Sequence, residues 1–408
     1  MREGWRNSTL DQLGRIVTGK TPPTAEQENY GGIIPFVTPS DMDGQRMVES
    51  VGRYLSDTGA STVRNSLVPA RTVVVSCIGS DMGKAAMIAK LSVTNQQING
   101  IVTNSENDPA FVYYNLSARK AEIRASASGS AQPILNKTAF GRLKIYLPPL
   151  PEQRAIAATL GALDDKIELN RRMNETLEAM ARAWFRDWFV DFGPTRAKMA
   201  GTTPYLSPDL WALFPGSLDD EGKPEGWEMR PVGDFAELKG GKQLEKKHIS
   251  DTGPVPVFGG AGVMGFTTNH NADGFVISVG RVGAYCGQFF SHRGRSWINN
   301  NASLIRPNLK VSGEWLLISL RHIDMDVIKK GAAQPFVSNG DIAKVGIIWP
   351  SHAIVSAFSE TLVSLMKKAE ANEQESRTLA QTRDLLLPRL MSGELRVSEA
   401  TFEREVEA

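Results

Sequence analysis

The sequence predicts a mixed α/β fold in which two similar domains are held by two long antiparallel helices. Three observations favour this architecture: an internal repeat, two heptad patterns in the same phase, and short β-rich runs inside each repeated block. A chain of 408 residues is also longer than one ordinary core requires, and its length fits two or three domains.

The repeat is visible at the two ends of each block. Gly4-Trp5 recurs as Gly226-Trp227, an offset of 222 residues, and Gln132-Pro133 recurs as Gln334-Pro335, an offset of 202. Because the offset changes between these anchors, the interiors of the two blocks have diverged in length while their ends have stayed similar. This pattern is typical of one scaffold present twice with different surfaces.

Each block is followed by a helical pattern whose seam positions advance by alternating steps of four and three residues, as in a coiled coil. We expect the helices over residues 151–192 and 351–395. The seam residues are Ile156, Leu160, Leu163, Ile167, Asn170, Asn174 and Leu177 in the first helix and Phe358, Leu362, Leu365, Asn372, Ser376 and Leu379 in the second.

The repeat also predicts how the helices pair. Each block stands at the start of its own helix, so an approximate twofold axis requires antiparallel packing. If the seam centres meet, Asn174 faces Asn372 and Asn170 faces Ser376, which forms a polar layer that fixes the register. The alternative is that these polar residues are a solvated gap in the middle of the helices.

Within the blocks, β-rich runs punctuated by Gly, Asn and Pro predict strands, for example at residues 72–76 and 275–279. One helix is expected in each block, over residues 109–123 and 314–328. The predicted organisation is domains at 1–150 and 226–350, helices at 151–192 and 351–395, a linker at 193–225 and an acidic tail at 396–408.

The charge distribution favours a polyanionic partner. The whole chain carries a net charge of +1, yet residues 1–150 and 226–350 each carry +4 and the connecting segments are acidic. Chance variation about neutrality is the alternative. Two widely separated cysteines predict neither a disulfide framework nor a zinc site, and no apolar run is long enough for a signal or a membrane span, so we expect a cytoplasmic protein.

Three short motifs suggest catalysis but lack the required context. Residues 14–21 match the Walker A pattern, yet two prolines follow directly and no buried strand precedes. Residues 108–111 are similar to the catalytic tetrapeptide of amino-methyltransferases, without a glycine-rich cofactor loop. Residues 245–247 resemble a nuclease carboxylate-lysine cluster, but they lie in a charged run that we expect to be solvated. We therefore predict no catalytic residues and no metal ligands on this chain.

Two motifs carry a family resemblance. Residues 147–156, LPPLPEQRAI, resemble the junction that ends each target-recognition domain in type I restriction-modification specificity subunits, and residues 386–395, LLPRLMSGEL, resemble that family's C-terminal signature. Residues 184–192 and 224–227 fit the end of its first helix and the start of its second domain. The second junction, residues 349–354, departs from the pattern because it lacks the Pro-Glu-Gln of the first, so equal packing at the two junctions is not expected.

The resemblance implies a non-catalytic subunit for host defence that reads a bipartite, asymmetric target in double-stranded DNA, one target-recognition domain per half-site, with the helices fixing the gap. It also implies two methylation subunits bound to this chain and restriction subunits bound through them, so that S-adenosylmethionine, ATP and Mg²⁺ belong to the partners. A non-catalytic coiled-coil scaffold without DNA specificity stays open as the alternative. A self-contained restriction-methylation enzyme is disfavoured because its cofactor loop and nuclease cluster are missing.

Base and phosphate contacts require Arg, Lys, Asn, Gln, Ser and Thr on loops. For the first domain the candidates are Lys20, Thr21, Ser80, Lys84, Gln96, Gln97, Asn99, Ser128, Ser130, Gln132 and Lys137. For the second domain they are Lys242, Gln243, Lys246, Arg281, Arg293, Arg295, Asn299, Asn300, Lys329, Lys330 and Gln334. Any one of these residues could instead be a turn-forming or solvated polar residue.

Overall fold

A computed structural model of the chain describes residues 4–42, 44–127, 133–308, 311–331 and 334–397. The chain divides into two compact units, residues 1–171 together with 373–408, and residues 172–372. The boundary cuts both long helices near their middles, so each unit contains one β-rich domain and a part of each long helix.

The first unit contains the strands and short helices that precede the first long helix. Its strands are β1 (Arg6–Thr9), β2 (Gly14–Thr18), β3 (Tyr30–Val37), β4 (Met47–Val48), β5 (Tyr54–Leu55), β6 (Leu67–Val68), β7 (Val73–Ser76), β8 (Ala85–Ile88), β9 (Ser92–Thr94), β10 (Ile98–Thr103) and β11 (Lys144–Leu147). Its short helices are α1 (Asp57–Thr62), α2 (Pro109–Ser117), α3 (Lys120–Ala125) and α4 (Lys137–Gly141), and α5 (Leu150–Phe189) is the first long helix.

The first domain is built on two sheets. One has the strand order β2-β10-β7-β8-β4, the other β5-β3-β9-β6, and β1 pairs with β11 in a separate antiparallel ribbon. The β-branched run Val73–Ser76 forms β7, which is buried along its whole length in the middle of its sheet. Helix α2 packs over this sheet, where Phe111 and Leu116 are fully buried.

Both long helices contribute to the core of the first unit. Ile156 and Leu160 of α5 are fully buried in the same hydrophobic cluster as Leu390 and Met391, which end the second long helix. Because the N-terminal part of α5 and the C-terminal part of the second long helix meet in this cluster, the two helical segments run antiparallel in this unit.

The second unit repeats this plan. Its strands are β12 (Glu228–Pro231), β13 (Ala236–Gly240), β14 (Val255–Gly259), β15 (Gly262–Thr267), β16 (Phe275–Gly280), β17 (Phe289–Arg293), β18 (Trp297–Ile298), β19 (Ala302–Pro307) and β20 (Gly346–Trp349). Its helices are α6 (Gly193–Met199), α7 (Pro208–Leu213), α8 (Gly313–Arg321), α9 (Asn339–Lys344) and the second long helix α10 (His352–Met391).

The topology confirms the predicted internal repeat. The sheet order β13-β19-β16-β17 matches β2-β10-β7-β8, and the ribbon β12-β20 matches β1-β11. The parallel pair β14-β18 likewise matches the parallel pair β3-β9. The second domain is the smaller copy, since among its described residues neither β4 nor β6 has a counterpart. The mixed α/β class is therefore confirmed.

The long helices also agree with the antiparallel prediction in the second unit. Asn372 of α10 donates a hydrogen bond to Asn174 of α5, and Asn174 in turn donates to the carbonyl of Ala369 (3.1 Å). In the first unit Asn170 donates to Ser376 Oγ at 3.3 Å. Every seam position is buried or half-buried.

Some local predictions need correction. The single helices expected over residues 109–123 and 314–328 are each interrupted, the first into α2 and α3, the second into α8 and a 3₁₀ turn at Met325–Val327. The second long helix, expected over residues 351–395, runs through Pro388 and ends at Met391. The expected linker contains α6 and α7 and is anchored by the buried Phe214. Residues 398–408 of the acidic tail lie outside the described residues.

Candidate nucleic-acid interface

In the first domain, four loops meet where β2 and β7 end. We call this the first loop edge and define it as residues 19–21, 78–84, 95–97 and 134–137. The Lys20 amide donates to the carbonyl of Thr94 (2.9 Å), and Thr21 Oγ1 donates to Gln96 Oε1. These bonds hold the turn after β2 against the loop before β10, so the predicted candidates Lys20, Thr21 and Gln96 lie together.

The second loop edge is the equivalent place in the second domain, residues 241–243, 282–288, 299–301 and 334–339. The Lys242 amide donates to the carbonyl of Ile298 (2.9 Å), which repeats the bond made by Lys20. Trp297 Nε1 donates to the carbonyl of Lys242 at 2.8 Å. The exposed candidates Lys242, Gln243 and Asn300 are therefore gathered on this edge.

A glycine turn forms the centre of each edge. Gly79 and Gly83 have φ values of +81° and +86°, and their counterparts Gly283 and Gly287 both have +83°. Only glycine adopts such values without strain, so the turn dictates these four residues. Sequence reasoning missed this pair of turns, although a Gly-x-x-x-Gly pattern repeated at an offset of 204 residues was available as a signal.

The backbone bonds around the two turns match as well. The Leu135 amide donates to the carbonyl of Cys77 (2.9 Å), and the Val337 amide donates to the carbonyl of Arg281 (3.0 Å). Each turn is thereby fixed to the segment that carries the Gln-Pro repeat. Ser128, Ser130 and Gln132 belong to that segment in the first domain but lie outside the described residues.

Two of the candidate asparagines are occupied inside their domains. Asn99 is buried, accepts from Thr18 Oγ1 (2.7 Å) and donates to the carbonyl of Leu135 (3.1 Å). Asn299 is buried and accepts from the amide of Leu244 (3.3 Å). Their amides hold loops in place and are not available to a ligand in this structure.

Several candidate cations have acidic partners. Lys84 pairs with Asp81 at 2.8 Å in the first domain. In the second domain Arg293 pairs with Glu314, Lys329 with Asp326 and Lys330 with Asp341. The hydrogen bonds from Lys330 and from Ser338 lower the pKa of the Asp341 carboxyl to about 2. These pairs reduce the positive charge that the loops offer to a polyanion.

The remaining candidates are open to solvent or partly so. Among the described residues, Lys20, Lys242, Lys246 and Arg295 are exposed and have no ion pair. Ser80, Lys137 and Gln334 are exposed, whereas Gln97 is half-buried and accepts from Asn95 Nδ2 (3.0 Å). Lys137 begins α4, whose N-terminus is capped by Asn136.

The first junction motif fastens the first domain to α5. Gln153 is 1% exposed; its Oε1 accepts from the amide of Asp108 (2.9 Å) and its Nε2 donates to the carbonyl of Pro148 (3.0 Å). Trp5 Nε1 donates to Glu152 Oε2 at 3.1 Å. The Glu-Gln pair of the motif therefore bonds both to the start of the domain and to the start of α2.

The second junction packs differently, as its departing sequence indicated. Trp227, the counterpart of Trp5, packs its ring near those of Phe189 (6.0 Å between centroids) and Phe192 (5.7 Å). Phe189 also contacts Phe358 of α10 edge to face. Aromatic packing stabilises the second junction, whereas side-chain hydrogen bonds stabilise the first.

The structure offers no sign of chemistry in the motifs that suggested it. Residues 14–18 of the Walker-like segment form β2 instead of a phosphate loop. Lys247 pairs with Glu245 on the surface. Within the described residues, no three His, Cys, Asp or Glu side chains are grouped to hold a metal, and no helix there is long and apolar enough to cross a bilayer. The candidate site is therefore the pair of loop edges.

Comparison with known proteins gives a consistent result. The family model described as the type I restriction modification DNA specificity domain matches residues 2–179 and 224–380. The chain is 24% identical to the type I restriction enzyme MjaIX specificity subunit of Methanocaldococcus jannaschii, over 97% of this chain and 94% of that protein. It is 29% identical to the HindI specificity subunit of Haemophilus influenzae, over 67% of this chain and 73% of that protein.

A solved structure supports the fold. The crystal structure of a type I restriction-modification system S subunit from M. genitalium is similar with a TM-score of 0.58 at 19% identity, covering 95% of this chain and 96% of that one. The matches run along both domains and both long helices.

Proposed function

We propose that this chain, which belongs to the type I restriction-modification DNA specificity family, reads a bipartite and asymmetric DNA target with one domain per half-site. As a specificity subunit it is non-catalytic, and its contribution is to choose the sequence on which partner subunits act. The observation that carries the two-part target is the duplicated loop edge: one backbone arrangement occurs twice with different side chains.

Because the backbone of the two edges matches, we infer that both edges serve the same purpose, DNA recognition. Because their side chains differ, we infer that they recognise different bases. Gly79 and Gly283 occupy the same turn, whereas Ser80 is replaced by Ala284 and Lys84 by Gln288. Since sequence is read by hydrogen bonds and apolar contacts to base edges, such changes alter the sequence that is recognised. Two different edges therefore imply an asymmetric target.

The partners follow from the same premise. We propose that two methylation subunits bind this chain, and that restriction subunits join through them. S-adenosylmethionine, ATP and Mg²⁺ would then be bound by the partners, since the described residues of this chain offer neither a glycine-rich cofactor loop nor a metal cluster to hold them.

The experiment is methylome mapping. The chain is expressed with its methylation subunit in a host that lacks other adenine methylation, and modified adenines are located by single-molecule sequencing. We expect one motif with two defined parts and a fixed spacer, present only when both proteins are expressed. Methylation that is independent of this chain, or that follows a single undivided motif, would contradict the proposal.

The coiled-coil scaffold is the second candidate. Mobility-shift titrations of the complex at several salt concentrations separate the two functions, because a DNA reader loses affinity steeply with salt and prefers its own target. The shared loop edges favour the reader.

A further inference from the structure

Arg281 directly precedes residues 282–288 of the second loop edge, and among the unpaired candidate cations of the second domain it is the half-buried one. It immediately precedes the glycine turn, and its backbone is fixed on both sides, by the amide bond to the carbonyl of Asn301 (3.1 Å) and by the bond from Val337. The side chain is half-buried and forms no ion pair within the described residues. Arg293, Lys329 and Lys330 are all paired with acids.

The guanidinium of Arg281 has unused hydrogen-bonding capacity within the described residues. Its Nε is buried and has no hydrogen-bond partner in the structure, so a ligand can be met only by the terminal nitrogens Nη1 and Nη2. A Cβ placed on Gly240 would lie 3.5 Å from Nη1. Nη1 therefore lies close to the backbone of Gly240, a residue that has no side chain of its own to cover it.

The charge identifies the class of ligand. A partly buried guanidinium without an acidic partner is an uncompensated positive charge, and an anion satisfies it better than a neutral base does. A phosphodiester offers two oxygens that match the two terminal nitrogens of an arginine. The exposed Lys242 lies on the same edge and adds positive charge there.

In the first domain, the position equivalent to Arg281 is not occupied by a cation. Cys77 stands at the position of Arg281: its amide donates to Gln97 as that of Arg281 donates to Asn301, and its carbonyl accepts from Leu135. The Cys77 side chain is 2% exposed and its thiol donates to the carbonyl of Val75 (3.4 Å). This position of the first domain is closed and neutral.

We propose that Arg281 binds a backbone phosphate of the half-site read by the second domain, and that the first domain lacks this anchor. The proposal rests on the proposed function, since it assumes that the second loop edge faces DNA. Under this proposal the electrostatic contribution to DNA binding differs between the two half-sites, although the two domains share one backbone arrangement.

The test uses the full chain in complex with its methylation subunit and a duplex carrying the mapped target. Arg281→Gln removes the positive charge. Arg281→Lys keeps the charge but cannot form the bidentate hydrogen bonds of a guanidinium. We expect R281Q to weaken binding about tenfold, as loss of one charge-assisted bond does. The slope of log affinity against log salt should fall by about 0.9, while R281K retains that slope. The methylated motif should stay unchanged in both variants.

Methylphosphonate substitutions then locate the contact. One substituted phosphate in the second half-site should weaken the wild type and have no effect on R281Q. Cys77→Ser is the matched control at the equivalent position, and Arg306→Gln is the control at the far end of β19; neither should change the slope. Arg306 lies about 17 Å along the chain from Asn301 of the second loop edge.

Two results would overturn the proposal. In one, R281Q relaxes the motif at a single base pair, which would make Arg281 a base reader. In the other, every methylphosphonate affects R281Q as it affects the wild type. A failed proposed function is distinguishable from both, because the wild-type complex would then prefer no bipartite target over unrelated DNA.

Discussion

Asn372 Nδ2 donates a hydrogen bond of 2.8 Å to Asn174 Oδ1 across the seam between α10 and α5. Asn372 is 1% exposed, so its amide is removed from water and needs hydrogen-bond partners within the protein. A polar pair in an otherwise apolar seam costs stability but penalises every register in which one amide is buried alone. The pair therefore specifies how the two helical segments of the second unit align.

The pairing predicts that replacing one asparagine reduces stability more than replacing both. Asn372→Leu leaves Asn174 Oδ1 without the donor that Asn372 supplies, and should reduce the free energy of unfolding by about 1–3 kcal/mol. Adding Asn174→Leu should restore most of that loss, because both partners are then apolar. Denaturant unfolding measures both steps, with the exposed Glu373→Leu as control. A further loss of stability when Asn174→Leu is added, in place of a recovery, would contradict the pairing.

A second prediction concerns the first junction. Gln153→Leu keeps the side-chain volume roughly unchanged but leaves the Asp108 amide and the Pro148 carbonyl without their partner. We expect a loss of about 2 kcal/mol in the free energy of unfolding, in the range for buried groups left unsatisfied. Gln381→Leu, on the exposed face of α10, should change it by less than about 0.5 kcal/mol. Equal effects of the two variants would show that Gln153 has no structural role.

The architecture was predictable because it follows from periodicity. The seam of α5 appears in the sequence as alternating steps of four and three residues, and its copy in α10 gives the pairing of Asn174 with Asn372. The local breaks were not predictable in the same way. The helix expected over residues 109–123 is interrupted between Ser117 and Lys120, although no proline or glycine marks the break.

The site was only partly accessible to sequence reasoning. Polar type and loop position selected Lys20 and Lys242, which the structure places on equivalent edges, but the same criteria selected Asn99, which is buried. Ion pairs between distant residues, such as Arg293 with Glu314, depend on the fold and leave no local signal. The glycine turns were missed because the residues between the glycines share no identity.

A third prediction separates paired from unpaired cations. Lys20 is exposed without an ion pair among the described residues, whereas Lys84 is matched by Asp81. If Lys20 neutralises one phosphate, Lys20→Ala should lower the slope of log affinity against log salt by about 0.9. Lys84→Ala should lower it less. Fluorescence anisotropy of the complex with target duplex, at four or more salt concentrations, measures both slopes; a larger effect of Lys84→Ala would contradict the assignment.

A fourth prediction concerns thiol reactivity. Burial raises the pKa of the Cys77 thiol to about 11, so at pH 8 almost none of it is the reactive thiolate. Iodoacetamide should therefore alkylate Cys77 far more slowly in the native chain than in denatured chain at the same pH. Raising the pH toward 10 should accelerate the native reaction. Peptide mass spectrometry follows the site, and rapid native alkylation at pH 8 would show that the thiol is accessible.

Exchange of one domain tests the central claim most directly. Residues 1–150, which end where α5 begins at Leu150, are replaced by the corresponding domain of another specificity subunit, with Gln153 and Glu152 retained. Methylome mapping of the chimera with its methylation subunit then gives the new target. We expect one half of the motif to change while the half read by the second domain stays the same. A change in both halves, or in neither, would contradict the assignment of one half-site to each domain.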